Sequence, residues 1–211
     1  MVIGLGLVFV LVGLSILTLK RADSASFLLG MLWLLVAFTL HLPDLVSNPR
    51  NANKWTVIFE LVALSGGAFY LAGELGVLPR NAISRRFNWI AIGRLLFTVS
   101  LIVFGILHFL YAAFIATLIP TWIPGRLFWA YFVGVGFLAT ALSLLLRKQM
   151  TLATNLLGLM FLLWVVGLHA PRVVANPQIE PEWTSLFIAL AMSGIAFAMS
   201  RLASQKALSL G

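Results

Sequence analysis

Three histidines and one carboxylate lie in or at the ends of long apolar stretches, and their side chains are suited to exchanging protons with a bound molecule. His41 and His169 each stand two residues before a proline. His108 lies in the segment Phe104-Gly-Ile-Leu-His-Phe109, and Glu60 follows Trp55 by five residues. An imidazole and a carboxyl facing an apolar slot can hydrogen-bond to the ring oxygens of a quinone and exchange protons with them. His41 and His169 could also ligate a haem iron from opposite sides. Haem is disfavoured because both are at helix ends beside proline, where ligand rotamers are poorly fixed, and the chain lacks a cysteine-based attachment motif. The absence of cysteine also excludes disulfides, thiol relays, iron-sulfur clusters and thiolate metal sites. No metal site is read from the sequence, and no residue is assigned a catalytic role.

Two of these histidines are the same position used twice. Residues 1 to 73 align without a gap to residues 129 to 201 at a constant offset of 128, with 26 of 73 positions identical. The matches include polar residues that an apolar composition does not supply by chance. His41, Pro43, Val46, Asn48, Pro49, Trp55, Thr56 and Phe59 recur as His169, Pro171, Val174, Asn176, Pro177, Trp183, Thr184 and Phe187. Ser65 and Gly66 recur as Ser193 and Gly194, and Lys20 and Gly30 as Lys148 and Gly158. Glu60 breaks the pattern, since its counterpart is Ile188.

The elements that hold these residues are set by composition. With 62% hydrophobic and 9% charged residues and a mean hydropathy of +1.06, the chain reads as an integral membrane protein, because soluble domains carry about a quarter charged residues. A crossing needs about 20 apolar residues. Seven stretches approach that length, near 2–19, 27–42, 55–73, 90–117, 124–146, 152–169 and 183–200. Lipid offers no water to backbone amides and the runs lack the alternation of barrel strands, so an all-α polytopic bundle is expected. The first stretch has no basic residue before it and Lys20-Arg21 after it, the polarity of a retained helix rather than a signal peptide. The absence of lysine in 183–200 closes a retinal Schiff base.

Ten Lys and Arg residues follow the first, third, fifth and seventh stretches, against four (Arg50, Lys54, Arg126, Arg172) on the other side. The positive-inside rule then puts the N-terminus outside and the C-terminus in the cytoplasm of an inner membrane. The net charge of +8 is dispersed at helix ends, which argues against nucleic acid and for a lipid bilayer as partner. The two copies begin four helices apart, an even number, so both run the same way: a 3+4 parallel pseudo-repeat. The expected organisation is a three-helix partial repeat (1–73), a cytoplasmic connector with basic lipid anchors (74–89), a four-helix unit (90–201) and a cytoplasmic tail (202–211).

All the unusual polar residues then gather at the outward half. His41 and His169 are expected to end their helices at Pro43 and Pro171. Asn48-Pro49 and Asn176-Pro177 have the form of an N-cap followed by proline at the first helical position. Trp55, Trp122, Trp129 and Trp183 fall where an aromatic belt is expected. Glu60 lies about 7 to 8 Å along its helix from Trp55, and His108 about 21 Å from Arg94. Groups at such depth usually face the bundle interior, and pairing of Glu60 with His41 or His108 is the expected arrangement. The plainer readings are a turn, cap and belt used twice, and buried hydrogen bonds that join helices. The candidate ligand-binding set is His41, Asp44, Asn48, Trp55, Glu60, His108, His169, Asn176 and Trp183, with Pro43, Arg94, Trp122 and Pro171 as structural residues. Gly4-x-Gly6, Gly134-x-Gly136 and the run from Ala63 to Ala68 read as close helix packing rather than nucleotide binding.

From about Ile90 to Ser200 the pattern resembles the DoxX-like family of four-helix membrane proteins. The resemblance is carried by Gly93-Arg94 opening a helix, by Gly105-Ile-Leu-His-Phe109, by the loop Ile119-Pro-Thr-Trp-Ile-Pro-Gly125, and by the helix rich in small residues after Trp129. It implies that residues 1–73 correspond to the last three helices of a second such unit whose first helix is missing. Members are linked to respiratory and sulfur-oxidising complexes, and distant relatives act as membrane chaperones for receptor assembly. The resemblance thus implies either a membrane subunit of a redox system, with redox-complex partners and a quinone-like ligand in the outward half, or a noncatalytic scaffold or assembly factor.

Overall fold

The computed structural model describes residues 2–75 and 88–208, with side chains from 6 to 75 and 88 to 201. Every regular element among them is helical: α1 (Val2–Leu17), α2 (Ala22–Val36), α3 (Leu42–Ser47), α4 (Ala52–Leu75), α5 (Trp89–Leu110), α6 (Ala112–Leu118), α7 (Arg126–Leu146), α8 (Met150–Trp164), α9 (Ala170–Ala175) and α10 (Glu180–Leu208). Six helices are long and apolar enough to cross a membrane, α2 with α3 and α8 with α9 each counting as one. These fit a multi-pass membrane protein. The first of the seven expected stretches forms a 16-residue helix, about 24 Å long, below the length of the other six. The connector carrying Arg80, Arg85 and Arg86 lies outside the described residues.

Two expected boundaries are corrected. The stretch 90–117 is not one helix: Tyr111, with φ −117°, separates α5 from α6. His41 and His169 do not end their helices either. At each, the chain widens into a five-residue π turn, Ala37–His41 and Val165–His169, and then continues helically past the proline. A π turn displaces the carbonyl with which the proline ring would collide, so a residue without an N–H is absorbed as a kink rather than a stop.

Geometry recurs at positions 128 apart. The corners between α1 and α2 and between α7 and α8 hold left-handed backbone at Leu19 and Arg21 and again at Arg147 and Gln149, with φ of 53 to 58°. Such a conformation costs a non-glycine residue about 1–2 kcal/mol. Ser15 Oγ donates to the Lys20 carbonyl and Ser143 Oγ to that of Lys148, tying each corner. Deeper in, the Ser65 hydroxyl donates to the Gly30 carbonyl and the Ser193 hydroxyl to that of Gly158, both at 2.8 Å. A Cβ at Gly30 would meet the Phe69 ring, and one at Gly158 the Phe197 ring.

The helices pack in sequence, α1 on α2, α2 on α4, α4 on α5, α5 on α7, α7 on α8, α8 on α10, and α10 closes back onto α4. α5, N-capped by the Asn88 side chain on the Ala91 N–H at 3.0 Å, is inserted between α4 and α7, which do not touch each other. Close approach on both of its sides is made by glycine. A Cβ at Gly66 would come to 2.7 Å from the Gly93 carbonyl and the Phe97 amide, and one at Gly134 to 2.9 Å from the His108 Cβ. Small residues of this kind let membrane helices approach closely where lipid supplies no hydrophobic drive between them. The central core collects Tyr70, Phe97, Leu101, Phe104, Phe137, Leu144 and Met192, and a second cluster joins Ala37, Leu45, Ile58, Leu61 and Val62.

Candidate functional site

The connections at one end of the bundle are built from one device used three times. The indole N–H of Trp55 donates to the Pro49 carbonyl at 2.8 Å, that of Trp183 to Pro177 at 2.9 Å, and that of Trp129 to Pro124 at 3.1 Å. Trp55 stacks on Phe59 and Trp183 on Phe187, with ring centroids 6.0 and 6.1 Å apart. Each tryptophan thus holds a polar connector at one end and apolar helix at the other, as an interfacial residue must. Trp122 takes no part and is 70% exposed.

Asn48 and Asn176 are not N-caps. Each ends the short helix before it, and each carbonyl accepts the turn bond, from the Asn51 N–H and the Ile179 N–H at 3.1 Å. The following helix begins four residues later in both copies, so the proline occupies the turn and not the first helical position. In the first copy, Asn51 Oδ1 accepts from the Asn53 N–H at 2.9 Å and does the expected capping. Ser47 to Asn51 line an open depression of roughly 500 Å³ at this end.

An ion pair crosses each connector, at positions that correspond but with the charges exchanged. Asp44 pairs with Lys54 in the first copy. In the second, Arg172 stands at the place of Asp44 and Glu182 at that of Lys54, with Nη2 to Oε1 at 2.7 Å. Among the candidates only Asp44 had been singled out in the sequence. The available signal was a ten-residue spacing with opposite charges in both copies.

The four ionisable candidates do not join one another. His108 Nδ1 lies 2.8 Å from the Phe104 carbonyl one turn back, and its ring meets Phe137 edge-on at 5.1 Å. No hydrogen bond or ion pair links Glu60 to His41 or His108 among the described residues. The expected pairing is therefore absent, and His108 instead satisfies itself on its own helix. His169 differs from both: its Nδ1 is buried and meets no partner among the described residues, while Arg172 and Glu182 sit beside the ring. Glu60 is half-buried on α4, and its counterpart Ile188 packs against the central core. No group of three or more histidine, aspartate or glutamate side chains clusters as a metal site would among the described residues.

At the opposite end, Tyr70 is buried at 3% exposure. Its hydroxyl hydrogen-bonds the Glu74 side chain, with Arg94 close by, so Arg94 belongs to a polar cluster where α4 meets α5. Asp23, which sequence reading passed over, is 4% exposed in the first turn of α2. There its charge faces the positive end of the helix dipole, and it accepts from Ser24 Oγ at 3.1 Å.

The chain matches no family model, and neither the curated proteins nor the solved structures contain a match to it.

Proposed function

We propose that this chain is a DoxX-like subunit of a redox system in the inner membrane, a 3+4 parallel pseudo-repeat of seven helices with its N-terminus outside and its C-terminus in the cytoplasm. Its role in that reading is to bind a quinone-like hydrophobic ligand in the outward half. The single observation that carries the ligand is the Nδ1 of His169, a buried nitrogen with no partner at the outward end of its span. An unpaired polar atom in a buried setting costs about 1–3 kcal/mol, and a ligand oxygen at that nitrogen would recover it. Glu60, unpaired and replaced by isoleucine in the other copy, is the second polar contact of the proposal. The contacts shared at a spacing of 128, from the π turns to the Ser65 and Ser193 hydrogen bonds, support the repeat.

The test is a lipid extract of the protein purified in its native membrane lipids. Stoichiometric quinone that falls at least several-fold in His169→Ala and in Glu60→Gln is the expected result. Occupancy unchanged in both variants removes the reading. The repeat is tested separately by labelling residues 48–51 and 176–179 with an impermeant reagent, and both must react from the same side.

A noncatalytic scaffold is the second reading. It is favoured by a helix face left bare on α10 where the corresponding face of α4 is covered.

A further inference from the structure

Among the contacts of α5 with α4 and α7 are two close approaches at Gly66 and Gly134, and the counterparts of these glycines, Gly194 and Gly6, have nothing within 4 Å among the described residues. On α4, Val62, Gly66, Phe69 and Gly73 are buried or packed where α5 lies: Gly66 meets Gly93, Phe69 meets Trp89 at 5.2 Å between ring centroids, and Gly73 meets Ile90. The same positions on α10 are Leu190, Gly194, Phe197 and Arg201, and all four are exposed. Leu190 is 45% exposed against 8% for Val62. On α7, Gly134 is closed by His108 and Gly105, while among the described residues its counterpart Gly6 on α1 has nothing within 4 Å, and neither does Gly194. α4 and α7 do not touch each other because α5 stands between them. Their counterparts α10 and α1 do not touch each other either.

We propose that α1 and α10 form the two walls of a docking groove for one apolar membrane-spanning helix of a partner protein, seated as α5 is seated between α4 and α7. The inference rests on the repeat arrangement and not on the quinone. The chemistry of the occupant is read from α5: small residues about twelve apart, as Gly93 and Gly105 are, facing Gly194 and Gly6. It also carries an acidic residue near its cytoplasmic end, at the place of Ile90, because Arg201 occupies the place of Gly73, which Ile90 meets in the filled copy. A second copy of this chain cannot supply that helix, since its own Gly93 and Gly105 are buried in its core. Two bare glycines on two helices, each with a filled counterpart, separate this groove from an ordinary lipid-facing stripe of small residues.

The probe is a synthetic peptide of residues 88–111 with Ile90 replaced by glutamate and a photo-activated cross-linker at the Leu96 position, added to the full-length protein in lipid nanodiscs. Saturable binding at one peptide per chain is expected, with adducts mapping to α10 between Leu190 and Phe197. Binding falls at least tenfold in Gly194→Leu and is unchanged in Gly167→Leu, a substitution at another glycine with open space around it. Unsaturable uptake, adducts on α4, cross-linked pairs of the full-length chain through α10, or indifference to Gly194→Leu would each overturn the proposal. If the loops at 48–51 and 176–179 label from one side and the peptide fails, only the groove is lost. If they label from opposite sides, the repeat falls first.

Discussion

α4 and α10 carry matching residues 128 positions apart and are packed differently. Both carry the serine that reaches the neighbouring glycine carbonyl, the phenylalanine over that glycine, and the tryptophan clamp at the N-terminal end. Yet 61% of an 18-residue apolar stretch of α4 is buried, against 33% for α10, because α5 and α10 both lie on α4 and, among the described residues, nothing corresponding to α5 lies on α10. The difference teaches which contacts belong to the repeated unit and which to the assembly of two units. The serine bond and the tryptophan clamp are intrinsic to each copy. The Gly66 contact is specific to one, even though the glycine itself is present in both.

Glycine substitution separates the two helices with the largest effect. Gly66→Leu must displace backbone atoms of Gly93 and Phe97, and overpacking of this kind costs about 1–3 kcal/mol, occasionally more. Gly194→Leu enters open space, and its cost should lie within about 0.5 kcal/mol. Denaturation in mixed micelles measures both. Equal losses in the two variants would show that the Gly194 face is closed and that the asymmetry between α4 and α10 is false.

The shared contacts should respond alike and more mildly. Ser65→Ala and Ser193→Ala each leave a glycine carbonyl without its hydroxyl donor, and hydrogen bonds between membrane helices are worth about 0.6 to 2 kcal/mol. The two losses are expected to agree within about 0.5 kcal/mol in the same unfolding assay. A loss confined to Ser65 would mean that the bond gains its value from the α5 contact and not from the copy that contains it.

Much of this was legible in the sequence because lipid simplifies the problem. The apolar runs became helices where expected, since a bilayer leaves the backbone no other way to satisfy itself, and the recurrence of Ser65 and Gly30 as Ser193 and Gly158 identified residues that meet. Pro43 and Pro171 misled because a proline forbids one hydrogen bond without forbidding a helix, and the π turn that solves this has no signature in residue type. Tyr111 ends α5 inside an apolar run that looks continuous. The Glu60 pairing failed for another reason: depth along a helix can be counted from the sequence, but rotation about its axis relative to a neighbour cannot. The exchanged charges of the two ion pairs are written in the chain as complementary and not identical residues, so an alignment by identity does not show them.

Those ion pairs give the smallest effect and the sharpest question about descent from one unit. If both connectors need only a bridge between these two positions, the sign should not matter. Asp44→Arg alone places like charges at the ends of the bridge, and adding Lys54→Glu rebuilds the arrangement found in the second copy. Exposed pairs couple by about 0.2–1 kcal/mol, so a double-mutant cycle should show a coupling of that size, with the double variant close to the parent in stability. The Arg172 and Glu182 pair should couple more strongly, because Glu182 keeps only 13% of its side-chain surface exposed while Asp44 keeps 42%. Should the rebuilt pair fail to recover what Asp44→Arg lost, the polarity of the bridge would be tied to its own copy. The exchange of sign would then mark a difference in what surrounds the two connectors.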